Sequence, residues 1–298
     1  MANTNDNFIM LPTVDFCFKK LMDNEKVRRG FIAALLQKDP EQIRETIVLP
    51  TELQREYADD KLGILDVRVM LKDGTQIDME MQVAYFENWD ARALFYLGKM
   101  FTDQLKKGDP YENLKKCIHV SILDFVYFKD DEECYRKISL CDEKTGKKYT
   151  DLLELQILEL KKLSKRMEDE ENIISWMRFL SGKSREEFEV MAKSDEYISE
   201  AYKLLKKLSA DDIEKLQYEA REKAIRDYNS QMNSSLKRGI ERGQTLEKIR
   251  LVLKKCQKGK SIEEIADELE EDISSIDRIY QLVSENPEET PEELLKKL

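Results

Sequence analysis

At 298 residues and 41% hydrophobic content, the chain can bury the core of one large domain, or of one domain with an appendage. Its 37% charged residues sum to a net −11, which argues against a nucleic-acid partner unless the basic residues cluster, because Lys and Arg drive phosphate binding. No run approaches the roughly 18 apolar residues that span a bilayer, and "MANTNDNFIMLPT" has no basic region or apolar signal run, so a cytoplasmic protein without membrane contact is expected.

Residues 13–37 place apolar side chains at helical spacing and predict one or two helices, with Thr13 or Asp15 as the starting cap. "TIVLPTEL" (46–53) reads as a short strand, and the polar loop "QREYADDK" follows it. "DVRVMLKDGTQIDMEMQ" (66–82) reads as a hairpin. "WDARALFYLGKMFTDQLKKG" (89–108) reads as a helix closed by Gly108. "CIHVSILDFVYF" (117–128) is apolar enough for a strand covered on both faces. "CYRKISLCD" and "LLELQILEL" predict two more strands. Beyond about 165 the pattern is helical throughout, near 167–181, 184–192, 195–208, 210–256, 261–283 and 290–298. This divides the chain into a sheet domain over 1–165 and a helical region over 166–298.

Composition removes several chemistries. The five cysteines are scattered, odd in number and without CxxC spacing, so zinc and a disulfide framework are not expected. A Ser-His-Asp triad could form only around the single histidine, His119, which lies in a strand pattern and is expected to be buried, structural and remote from any site. The ten glycines form no phosphate-binding fingerprint. Carboxylate is the plentiful resource.

Charge also shifts along the helical region. Residues 234–260 carry nine basic and two acidic side chains, and 261–298 carry three basic and thirteen acidic. "KGKSIEEIADELEEDISSIDRIYQLV" has helix-turn-helix phrasing, but its second helix carries little positive charge, and a helical hairpin for packing or homodimerisation fits better than DNA reading.

In the hairpin, odd positions are apolar on both arms, from Leu65 to Leu71 and from Ile77 to Val83. A Lys72-Asp73-Gly74 loop sets Leu71 opposite Thr75, with Gly74 in the left-handed position. Asp66 then faces Glu80 with β-carbons about 5 Å apart, Arg68 faces Asp78, and Gln82 flanks Glu80. Two carboxylates that close repel unless a cation sits between them. A divalent ion answers that need; cross-strand ion pairing on a solvated face is the other outcome.

The pattern D-x13-E-x-Q on a hairpin after a helix containing "DFCFKKLM" resembles the PD-(D/E)XK nuclease superfamily, and most of all the Rpn-type recombination-promoting nucleases and transposases. Arg92, Tyr96, Gln104, Gly108, Tyr111 and "CIHVSILDF" extend the resemblance over roughly residues 10–160. It implies an α/β fold, the restriction-endonuclease-like αβββαβ core with a mixed central sheet, followed by an all-helical region. It further implies a Mg2+-dependent DNA endonuclease (or one using Mn2+ or Ca2+) acting on double-stranded DNA in recombination, transposition or defence. Asp66, Glu80 and the Met81 carbonyl would be its metal ligands. Gln82 stands where many relatives carry the catalytic lysine, and glutamine can orient a water but not deprotonate it. Lys19, one turn after Asp15, would be the replacement cation and Asp15 the helix-borne acid near the metal; an ordinary surface ion pair is the equal alternative for both. Lys20, Arg28, Arg29 and the basic run at 234–260 are the expected DNA-facing patches. The alternative is a catalytically weak or inactive DNA-binding protein that retains the fold.

Overall fold

The computed structural model describes residues 8–43, 45–51, 66–85, 87–163 and 172–298. The loop expected at 54–61 and the start of the helix expected at 167–181 lie outside the described residues. Two helices open the chain, α1 (Asp15–Asp23) and α2 (Glu25–Leu36). Neither Thr13 nor Asp15 caps α1: Val14 holds that position without a side-chain cap, and the Asp15 carboxylate is engaged elsewhere. Asn24 separates the two helices, its side chain accepting from the Val27 N–H at 3.1 Å.

Six strands follow in one sheet, ordered β1 (Thr46–Leu49), β2 (Val67–Leu71), β3 (Gln76–Gln82), β4 (Cys117–Leu123), β6 (Leu153–Glu159) and β5 (Tyr135–Ser139). The first three are antiparallel, β3, β4 and β6 run parallel, and β5 returns antiparallel to β6. The hairpin has the register read from parity, with Arg68 opposite Asp78 and Val67 opposite Met79. Its turn closes with Leu71 N–H donating to Thr75 O at 2.8 Å and Gly74 at φ +86°.

Helix α3 (Trp89–Thr102) makes the crossover between β3 and β4. It ends at Thr102, short of Gly108, and the Gln104 side chain then ties the chain to Lys115. Strand β4 likewise ends at Leu123 and not 128, where the Asp124 N–H donates to the Gln82 carbonyl.

Odd positions of β2 and β3 and even positions of β4 form one apolar face. They share a core with α1, α2, α4 (Asn172–Ser181), α5 (Arg185–Met191) and α6 (Glu196–Ala210). The opposite face packs on α3 through Trp89 and Ala93 against Leu123 and Ile157, and through Leu97 and Met100 against Cys117. The expected all-helical region therefore begins inside the sheet's own core. The chain forms two compact units, Met1–Ile225 and Arg226–Leu298, with the boundary inside α7 (Asp212–Cys256).

The second unit surrounds a small core of Ile249, Val252, Ile265, Ile276, Ile279, Val283 and Leu294. The helix expected over 261–283 is two, α8 (Ile262–Leu269) and α9 (Ile273–Glu285), broken where Glu270 takes a left-handed cap at φ 54°. Ser261 with Glu264 and Thr290 with Glu293 form capping boxes for α8 and α10 (Pro291–Leu295). Within this unit the basic run meets acidic partners: Lys248 with Glu271 at 2.5 Å, Arg250 with Glu292 at 2.8 Å, and Lys255 and Lys260 with Glu268. Part of the expected DNA-facing charge is thus neutralised internally.

Candidate active site

Even positions of β3 and odd positions of β4 share the face beneath α3, so the pleat places Asp78 and Glu80 beside His119 and Ser121. All four are buried. His119 Nδ1 lies 2.6 Å from Asp78 Oδ2, and its Nε2 lies 2.9 Å from the Ser121 hydroxyl. His119 is buried as its sequence context implies, but it is not remote: it belongs to the polar row that continues to Glu80. Burial pushes the Asp78 carboxyl up against the opposing pull of His119. Burial alone would lower His119, yet the adjacent Asp78 holds it above its usual range.

Glu80 is 1% exposed. Its Oε2 accepts from the Gln82 amide at 3.2 Å and lies 3.6 Å from Arg92 Nη2, while Oε1 is buried with no hydrogen-bond partner among the described residues. Burial, reinforced by the charge of Asp78, pushes its carboxyl up to about 7. Arg92 sits in the first turn of α3, over the Tyr96 ring.

Asp66 stands at the open end of β2, half-buried. Its Oδ2 accepts from the Met81 N–H at 3.1 Å, and its Oδ1 lies 3.0 Å from Lys19 Nζ. The Met81 carbonyl leaves the strand on the same edge as its N–H. Lys19 lies 4.0 Å from Asp15 Oδ2. Asp15 in turn accepts both Nε and Nη2 of Arg221, at 2.9 and 2.7 Å to Oδ2. The structure thus brings Asp15, Lys19 and Asp66 into one charged chain. It sets Glu80 and Gln82 together on β3, and the Asp66 charge helps to raise Glu80.

The other expected basic residues have structural partners. Arg28 is buried, and its guanidinium donates to the Met22, Asp23 and Thr46 carbonyls, because it ties the end of α1 to β1. Lys20 pairs with Glu214 at 2.8 Å, and Arg29 lies over the Tyr197 ring. Sequence reasoning missed Arg221, 206 residues from Asp15 in the chain, and the Asp78–His119 pair. Parity places Asp78 on the face of Glu80 but says nothing of its pairing with His119; for Arg221 there was no signal.

Whether these residues suit a divalent ion turns on Glu80. A buried carboxylate oxygen without a donor is an acceptor awaiting a cation, a proton or water. Among the described residues no three of His, Cys, Asp and Glu converge to enclose an ion by themselves. Asp66 and Glu80 could hold an ion only with waters completing its shell, an oxygen donor set that suits Mg2+ better than a structural zinc.

A mixed sheet crossed by α3, with an acid at the end of β2 and an acid two residues before a polar side chain on β3, is the arrangement of a PD-(D/E)XK nuclease fold. A family model described as PD-(D/E)XK nuclease family transposase matches residues 12–235, well over half of the chain, and the chain belongs to that family. No curated protein matches the chain, and no solved structure does. Among the described residues no helix is long and apolar enough to cross a membrane.

Proposed function

We propose that the chain is a metal-dependent DNA endonuclease that hydrolyses phosphodiester bonds in double-stranded DNA, in recombination, transposition or defence. The observation that carries the reading is Glu80 Oε1, buried and without a donor among the described residues, in a family of nucleases. Asp66 and Glu80, with the Met81 carbonyl, would hold Mg2+, Mn2+ or Ca2+. Bound there, such an ion lowers the pKa of a water and neutralises phosphate charge.

The remaining roles follow from donor chemistry. Glu80, with a carboxyl pushed up to about 7, can hold a proton near neutral pH when no cation is bound. Gln82 is neutral and already donates to Glu80, so it steadies that carboxylate and orients water without taking a proton. Lys19 supplies the positive charge that a lysine at position 82 would have supplied. A weakly active or inactive DNA-binding protein is the second reading, favoured by that same Gln82–Glu80 hydrogen bond, which partly occupies the acceptor.

Calorimetric titration with Mg2+ and plasmid nicking by the purified protein separate the two readings. Metal binding with cleavage supports the first; DNA binding without either supports the second.

A further inference from the structure

We propose that Arg221 is a positioning residue that keeps Lys19 on Asp66 by occupying Asp15, an inference that rests on the nuclease reading above. Glu214, Tyr218 and Arg221 recur at i, i+4 and i+7 on α7 and so share one helical face. That face docks on the N-terminal segment. The Tyr218 hydroxyl accepts from the Leu11 N–H at 3.1 Å, its ring meets Phe8 edge-on at 5.9 Å, and Glu214 takes Lys20.

Arg221 completes the face with a fork on Asp15: Nε lies 3.1 and 2.9 Å from the two carboxylate oxygens and Nη2 lies 2.7 Å from Oδ2. Such a fork fixes direction as well as charge. Lys19 stands between two carboxylates, 4.0 Å from Asp15 and 3.0 Å from Asp66. The i,i+4 spacing would by itself favour the Asp15 pair. With the Asp15 charge already answered by Arg221, the ammonium is left to Asp66. The Arg221 side chain is 56% exposed, and exposed ion pairs add little to stability, so its loss should disturb placement and not folding.

The test compares Arg221→Ala, Asp15→Asn and the double variant by single-turnover plasmid cleavage, calorimetric Mg2+ titration and Tm. In Arg221→Ala the freed Asp15 draws Lys19 away, and turnover should fall about tenfold or more, as misplacement of a charged group near the reaction does. Mg2+ should bind tighter, by about fivefold, because Asp66 Oδ1 loses the ammonium that competes with the ion for it. A general loosening of the fold would weaken metal binding, so opposite signs separate positioning from structure. The double variant should bring both quantities back toward wild type, since the neutral amide introduced by Asp15→Asn no longer competes for the ammonium.

Unchanged turnover and affinity in Arg221→Ala, weaker Mg2+ binding, or no recovery in the double variant would each overturn the proposal. If the wild type neither cuts DNA nor binds Mg2+, the nuclease reading fails separately. A crystal structure of Arg221→Ala then decides the positioning role: Lys19 moved onto Asp15 supports it, and Lys19 still on Asp66 refutes it.

Discussion

Two buried glutamates close parallel strands of the same sheet, and their surroundings differ. Glu159, at the end of β6, has two donors and two cations: the Tyr127 and Phe128 N–H groups at 2.6 and 3.1 Å on Oε1, and Lys162 and Arg136 at 3.1 and 3.6 Å from Oε2, which has no hydrogen-bond partner among the described residues but has both cations beside it. Glu80, near the end of β3, has one amide, one arginine at 3.6 Å and an oxygen without a hydrogen-bond partner among the described residues. Burial without partners is costly, so a carboxylate retained for structure accumulates donors and counter-charges on both oxygens. Glu159 holds the loop after β4 against the sheet. The open acid on β3 is the one to which the proposed function assigns a metal ion.

The largest effect expected from that difference is on cleavage. Asp66→Ala should abolish Mg2+-dependent nicking while leaving Tm within a few degrees of wild type, because one ligand of a two-carboxylate site takes the ion with it. Equal nicking by wild type and variant would trace the activity to a contaminant or another site. Glu159→Ala should do the reverse. It strands the Tyr127 and Phe128 N–H groups and takes one of two carboxylates from Lys162, which keeps Asp131 at 3.2 Å, a loss of about 3 kcal/mol. Thermal denaturation should show Tm lower by roughly 10 °C; a Tm unchanged by that substitution would erase the contrast between the two acids.

A smaller effect follows pH. The Glu80 carboxyl is pushed up from 4.5 to about 7, chiefly by burial, so the folded state holds this proton more tightly than the unfolded chain does. Its contribution to stability is complete below 4.5 and is lost as pH rises to about 7, on the order of 3 kcal/mol over that window. Glu80→Gln should remove this part of the slope and make the protein no less stable than wild type at about pH 7.5, above the folded-state value. Urea unfolding of both proteins at about pH 4.5 and about pH 7.5 measures it. Parallel slopes would mean that Glu80 ionises as an ordinary surface acid.

The hairpin was legible because its information is local. Alternating apolar positions and Gly74 fix its register, and the register sets Asp66 against Glu80. The parallel pairing of β3 with β4 was not legible, since α3 intervenes and strand parity alone does not say which residue of one strand meets which of the other. Asp78 therefore read as the cross-strand partner of Arg68 and His119 as an isolated core histidine, when the two are partners at 2.6 Å. Arg28 read as a surface cation because its charge is visible in the sequence and the carbonyls that enclose it are not. Arg221 depends on how α7 docks on α1, a tertiary contact with no local pattern behind it.

The finest effect concerns the two side chains beside the paired acids. Lys19 carries a full charge, and its Nζ already lies 3.0 Å from Asp66 Oδ1, so a phosphate brought to that carboxylate would meet an ammonium held in place. Removing such a preorganised donor costs about 10²-fold in turnover. Mg2+ binding should not weaken in Lys19→Ala, because the ammonium and the ion compete for the same oxygen. Gln82 is neutral and hydrogen-bonded to Glu80, and its contribution is orientation. Gln82→Ala should therefore cost less than Lys19→Ala, under about tenfold, as expected for a neutral donor set against a charged one. Single-turnover cleavage at saturating Mg2+ ranks the two, with Tm values that should match. A Lys19→Ala rate equal to wild type would assign Lys19 to holding Asp66 in the free protein. Gln82 would then be the side chain on β3 left to guide the water.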